Sequence, residues 1–222
     1  SCTAPRFPVL RPVRIVDRQE IARAKAEQYF IMARDLERRA RHAEAERFYE
    51  MACDLDPHSR VLRDQLARKY VESGKLVQAQ LLIKGARGIS ELDGEEKRFI
   101  AGIYIKTGEL RRAIETIELI DSLAASDYYS LAIMYESAGD LPRAIARYLA
   151  FFERTTPSAE LGMKIVRLLI TAGRSKGADS LVTRLIAQLG ESAMLLDGKG
   201  IVALSRGDTT DALANFSRAI SM

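Results

Sequence analysis

The sequence predicts an all-α chain built from stacked helix hairpins. Three observations carry that expectation. First, the segments VESGKLVQA, IKTGELRRA, ESAGDLPRA, ITAGRSKGA and LSRGDTTDA place Gly74, Gly108, Gly139, Gly173 and Gly207 in one local setting, at intervals of 34, 31, 34 and 34 residues. A fixed period of this size marks a stacked repeat protein. Second, an alanine stands five positions after each glycine: Ala79, Ala113, Ala144, Ala178 and Ala212. An earlier copy has Ala40 in the glycine slot and Ala45 in the alanine slot. Third, apolar residues precede each turn at three- and four-residue spacing, as in Leu131, Met134 and Tyr135. That is the stripe of an amphipathic helix.

The elements of one unit follow in order. A first helix ends at the glycine, which adopts a left-handed conformation at little cost. A short turn leads to a second amphipathic stretch. In DLPRAIARYLAFFERTTP, Pro142 suits the first helical turn, where its missing N–H is not needed. The alanine lets the two helices approach closely, Tyr148 fills the adjoining space, and Pro157 is expected to stop the second helix. A lone hairpin cannot bury its apolar face, so neighbours must stack.

Composition narrows the function. The net charge of +4 is small beside 34 basic and 30 acidic residues. The two signs alternate, as in RDLERRARHAEAERFYE, where Asp35 and Arg39 share a helix face. A nucleic-acid binder segregates its cations, so that class is disfavoured. Two cysteines, Cys2 and Cys53, and two histidines make neither a disulfide framework nor a zinc site. Cys53 reads as a small apolar residue between helices. GKG at 198–200 lacks the remainder of a phosphate loop and sits in a helical pattern. No carboxylate sits in an apolar setting that would tune it for acid–base work. The expectation is therefore no enzyme, no cofactor, no metal and no small-molecule substrate.

The repeats resemble the tetratricopeptide repeat (TPR) family. The copy at 26–59 has Tyr29, Met32, Ala33, Leu36, Ala45, Tyr49, Ala52 and Pro57 at the motif positions. The copy from about 125 has Tyr128, Leu131, Ala132, Tyr135, Gly139, Ala144 and Tyr148. The second copy keeps Leu66, Ala67, Tyr70, Gly74, Ala79 and Ala86, and the third keeps Ile100, Ala101, Tyr104, Gly108 and Ala113 but is three residues short. The last two are weaker, with Lys199 in a normally apolar slot. The resemblance implies a right-handed superhelix, an α-solenoid of about six hairpins spanning 23–222, with the first helices lining a concave groove.

Carried onto this chain, the family register places Arg34, Val61, Arg68, Val71, Arg98, Ile105, Tyr129, Ile133, Met163, Arg167, Ile170 and Ile201 in that groove, with Met194 and Leu204 beside them. An apolar strip with scattered arginines suits an amphipathic helix or an extended peptide bearing some acids. TPRs that grip chaperone tails use a Lys and Asn pair where this chain has Phe30 and Arg34, which argues against that partner.

Residues 1–22 read as an extended linker, because prolines at 5, 8 and 12 prevent helix formation. Cys2 after a small residue resembles the end of a bacterial lipobox, which implies a lipid on Cys2 and attachment to the periplasmic face of the outer membrane. A lipid-anchored TPR array resembles the pilotins of pilus secretins and the TPR lipoprotein of the Tad (Flp) pilus. That resemblance implies a chaperone-like assembly factor that binds a secretin subunit. The alternatives are an envelope scaffold for other complexes and a cytoplasmic adaptor without lipid.

Overall fold

A computed structural model of the chain describes residues 17–85 and 87–222. Cys2, the prolines of the opening stretch and Ala86 lie outside the described residues. The chain divides into two compact units, one ending at Arg87 and one running from Gly88 to Met222. The sequence suggested a single array from 23 onward. The first unit holds α1 (Arg18–Arg38), α2 (His42–Leu55), α3 (Arg60–Glu72) and α4 (Leu76–Lys84). The second opens with a 3₁₀ turn at Ile89–Glu91. It continues with α5 (Gly94–Lys106), α6 (Leu110–Glu118), α7 (Ala125–Ser137), α8 (Leu141–Phe152), α9 (Ala159–Thr171), α10 (Ser175–Leu189), α11 (Ala193–Ser205) and α12 (Thr209–Ile220). Among the described residues there is no strand, and the helices pack as six consecutive hairpins.

α1 begins inside the segment expected to be linker. Asp17 starts it: the carboxylate accepts the Gln19 N–H at 3.3 Å and satisfies one of the free donors at the helix start. α5 starts with a reciprocal cap. Asp93 accepts from the Glu95 and Glu96 N–H groups, and Glu96 accepts from the Asp93 N–H at 3.0 Å.

All six turns share one construction. The turn residue has positive φ, from 58° at Ala40 to 82° at Gly207. The next N–H then reaches back to the carbonyl five residues earlier, as in Lys75 to Tyr70 at 2.6 Å and Asp140 to Tyr135 at 2.9 Å. This arrangement satisfies carbonyls that the helix end leaves open. Ala40 makes the same turn without glycine.

The packing follows the same count. Fifth after each turn residue stands Ala45, Ala79, Ala113, Ala144, Ala178 or Ala212, every one fully buried. Ninth stands Tyr49, Ile83, Ile117, Tyr148 or Val182, also buried, with Phe216 partly covered in the last copy. A small residue against one helix and a large one a turn later gives close approach without a void. The stripe expected from Leu131, Met134 and Tyr135 is buried in full. Pro157, however, does not stop α8. That helix ends at Phe152, and Pro157 instead precedes Ser158, whose hydroxyl accepts the Leu161 N–H at the start of α9.

The three residues missing from the third copy come out of the joint between hairpins. Tyr70 donates its hydroxyl hydrogen to Glu50 at 3.0 Å, tying α3 back to α2. Tyr135 does the same to Glu118 at 2.6 Å, tying α7 back to α6. In each pair the acid is tenth after one turn residue and the tyrosine fourth before the next. The bond survives because α6 stops after nine residues, at Glu118 itself.

Candidate peptide-binding surface

In the second unit each first helix turns one side to solvent at a fixed count from its glycine. Three residues before the glycine are Ile105, Glu136, Ile170 and Leu204; six before are Gly102, Ile133, Arg167 and Ile201. Such residues share a helix face. Ile105 is 51% exposed, Tyr129 39%, Ile133 41%, Met194 45% and Leu204 50%. Ile170 and Ile201 are half-buried, and Arg167 is exposed among them.

Beside Tyr129 lies a cleft of about 640 Å³, lined by Tyr129, Phe151 and Leu161 with Thr155, Glu160 and Lys164 at its polar edge. Tyr129 meets Tyr148 edge-on at 5.8 Å between ring centres and Phe151 at 5.0 Å. Lys164 pairs with Glu136 at 2.9 Å and lies over the Tyr148 ring at 4.7 Å. Tyr148 in turn donates to Glu136 at 2.6 Å. Burial pushes Glu136 up, but these hydrogen bonds outweigh it and hold the carboxyl below its usual range.

Two expected members of the strip are used elsewhere. Met163 is buried, because Gly198 on α11 has no side chain and the Met163 thioether occupies that space. The glycine of the GKG run is thus a packing residue. Gly200 has the same role beneath the Phe216 ring. Arg98 is spent on an ion pair with the buried Asp127, through two hydrogen bonds of 2.8 and 2.7 Å. Its charge is not free for a peptide.

The first unit carries the remaining four. Val61 is largely exposed on α3, Arg34 and Arg68 are exposed, and Val71 is half-buried. Between Arg34 and α3 sits a second tyrosine–acid–lysine group. Tyr49 donates to Glu37 at 2.9 Å and Lys69 pairs with the same carboxylate. Burial raises the Glu37 carboxyl, and the Lys69 and Tyr49 hydrogen bonds carry it below the usual range. A polar cleft of about 690 Å³ opens beside His42, Glu46, Glu50 and Lys75. Its acids are already engaged, Glu46 by Lys75 and Ser73 and Glu50 by Tyr70.

Sequence reasoning missed Phe151, Lys164 and Asp127. The twelve-residue interval of Glu37 to Tyr49 and Glu136 to Tyr148 was a readable sign of the tyrosine–acid pairs. Nothing in the repeat count singled out Asp127 as the partner of Arg98.

No protein-family model matches the sequence, and no curated protein matches it. Solved structures do. A tetratricopeptide repeat protein from Parabacteroides merdae is 16% identical over 89% of this chain and 80% of its own, with a TM-score of 0.56. YrrB, described as a TPR protein with an unusual peptide-binding site, is 14% identical over 78% and 91%, with a TM-score of 0.58. MamA (AMB-1) is 17% identical over 73% and 90%, with a TM-score of 0.56. The chain has the TPR fold. Identities this low speak to the fold alone, and the TPR fold agrees with the six hairpins built on one turn count.

Proposed function

We propose that this TPR chain is a non-enzymatic protein-binding adaptor, and that the first-helix face of its second unit takes an amphipathic helix or an extended peptide. One observation carries the reading. Ile105, Ile133 and Leu204, with Tyr129 and Met194 beside them, keep 39–51% of their surface in water, while Ile100, Ile103, Leu131, Met134, Leu195, Leu196 and Val202 of the same helices are buried. Apolar residues clustered on one exposed face are the usual mark of a binding surface. Arg167 among them favours a ligand bearing acids. YrrB is described as having a peptide-binding site, which supports the same use of the fold here.

A photo-crosslinking residue placed at Ile133 tests this. The control is the same residue at Ala146, exposed on α8. A partner captured from position 133 and not from 146 is expected, and Ile133→Asp should weaken its binding by at least tenfold, about 1.4 kcal/mol. Equal capture from both positions moves the partner off this face.

The finer form of the reading is an assembly factor held at the outer membrane through a lipid on Cys2, where it gathers a secretin subunit. Its support is in the sequence: Cys2 behind a small residue and a proline-punctuated stretch ahead of α1. Several acyl chains anchor a protein stably where one does not. Cys2→Ala should therefore release the full-length protein from the membrane fraction. Unchanged fractionation removes the anchor from the reading, and failure to bind a secretin segment in a titration removes the partner.

A further inference from the structure

Twelfth after their turn residues, Ala52, Ile120 and Leu185 are buried in their hairpins. Phe151 holds that place on α8 and is only half-buried. Its ring centre stands 5.0 Å from that of Tyr129 with the planes tilted by 47°, and Tyr129 keeps 39% of its surface in water. With Leu161 these two rings form the apolar wall of the cleft of about 640 Å³ between α7, α8 and the start of α9. That volume suits a side chain together with its stretch of backbone. The tilted pair presents one ring's edge and another's face to whatever enters. An incoming aromatic ring meets both in the arrangements that such rings prefer, whereas an aliphatic side chain gains contact area alone.

The charges beside the cleft follow one order along α9. Glu160, Lys164 and Arg167 stand four and three positions apart, so they share a helix face. Glu160 sits in the first turn, where the helix dipole favours an acid, and accepts the Ser158 hydroxyl hydrogen at 2.6 Å. Lys164 is paired with Glu136. Arg167 is exposed and has no ion-pair partner among the described residues. The open positive charge therefore lies at the Arg167 end, about one turn from the cleft edge at Lys164.

We propose that this cleft seats an aromatic side chain of a partner peptide, and that an acid about two to four positions away on the same peptide pairs with Arg167. The proposal rests on the reading of the first-helix face as a peptide surface and names the side chains that face selects. The spacing follows from geometry. One turn of α9 spans about 5.4 Å. Two residues of extended chain cover that at about 3.3 Å each, and three or four residues of helix cover it at about 1.5 Å each. A base at the same place would meet Arg167 as a like charge, which works against binding.

Selection of a random-peptide phage library on the 222-residue chain tests this. The binders should share an aromatic residue with an acid at that spacing. The strongest, made as a synthetic peptide, is then titrated against wild type, Phe151→Ala, Arg167→Glu and Ile133→Asp. Phe151→Ala should weaken it at least about tenfold, and replacing the peptide's aromatic residue by alanine should cost little more in that variant. Arg167→Glu should weaken it too, and changing the peptide's acid to lysine should restore the affinity. Arg167 faces water, so that variant and its rescue can be read even if Phe151→Ala does not fold. Selected peptides without the aromatic–acid pair overturn the proposal, and so does a lysine peptide that fails to rescue. A peptide that loses affinity with Ile133→Asp but binds Phe151→Ala and Arg167→Glu like wild type overturns it and leaves the surface reading standing. A library that yields no binder, or only binders indifferent to all three variants, overturns both.

Discussion

Arg98 on α5 holds Asp127 on α7 with the edge of its guanidinium, Nε to Oδ1 at 2.8 Å and Nη2 to Oδ2 at 2.7 Å. The same carboxylate accepts the Ala124 N–H at 2.7 Å, at the start of α7. One acid thus ties two hairpins together and caps a helix.

The Arg98 hydrogen bonds hold the Asp127 carboxyl below its usual range, against the opposing effect of burial. A carboxyl whose folded pKa is lowered contributes stability above its unfolded value of about 3.9 and loses it as pH falls through the folded one. Asp127→Asn should cost about 2 kcal/mol near neutral pH, the scale of hydrogen bonds to a charged group. Urea melts at neutral and strongly acid pH should show the gap from wild type closing in acid. A gap of the same size at both would mean that the cap, rather than the ion pair, carries the effect.

Ala40 occupies a left-handed turn that the other five copies give to glycine, with φ of 58°. Left-handed backbone costs a residue with a β-carbon about 1–2 kcal/mol. Ala40→Gly should stabilise the chain by about 1 kcal/mol after the greater freedom of unfolded glycine is counted. Gly139→Ala should do the reverse. Nothing lies within 4 Å of an added β-carbon there, so its cost is backbone strain alone. Paired thermal melts decide both.

The two packing glycines of α11 should differ when made alanine. At Gly198 the obstacle is the terminal methyl of Met163, which can swing aside. At Gly200 it is the edge of the Phe216 ring, which cannot. Gly200→Ala should cost about 1–3 kcal/mol by overpacking and Gly198→Ala less. Equal losses in chemical denaturation would contradict the difference in stiffness.

Tyr135 and Tyr129 are separated by their packing. Tyr135 is buried and bonded to Glu118, so Tyr135→Ala should cost about 3–5 kcal/mol. Tyr129 rests on Tyr148 and Phe151 with one side in water, so Tyr129→Ala should cost about 1 kcal/mol. Melting curves in which Tyr129→Ala falls as far as Tyr135→Ala would make Tyr129 a core residue.

Cys53 is buried and free, and burial pushes its thiol up to about 11. The thiolate is the reactive form, so a thiol reagent should label it slowly in the native protein and rapidly in denaturant. Rapid native labelling at neutral pH would show that this part of α2 opens readily.

The turns and the buried alanines could be read from the sequence because both are local. A positive φ asks for glycine at one position, and close helix approach asks for alanine at another. The groove was legible only as a face. Register told which way Arg98 and Met163 sit on their helices, but not that Asp127 would claim the one or that Gly198 would admit the other. Those outcomes depend on residues 29 and 35 positions away, and a repeat count carries no such information. The start of α1 was missed for a smaller reason. Asp17 is an ordinary helix cap, but proline-rich sequence just before it drew the boundary past it.

The tyrosine bonds across the joints give the stack a ruler that is independent of chain length. Tyr70 finds Glu50 across 20 positions and Tyr135 finds Glu118 across 17, and both arrive at the same contact. These two joints can therefore differ in length while the hairpins on either side keep the same contact. They are the points where a loop could be grafted, a repeat exchanged or a tag inserted with the stacking left intact, and a change of the same length inside a helix would rotate every side chain beyond it.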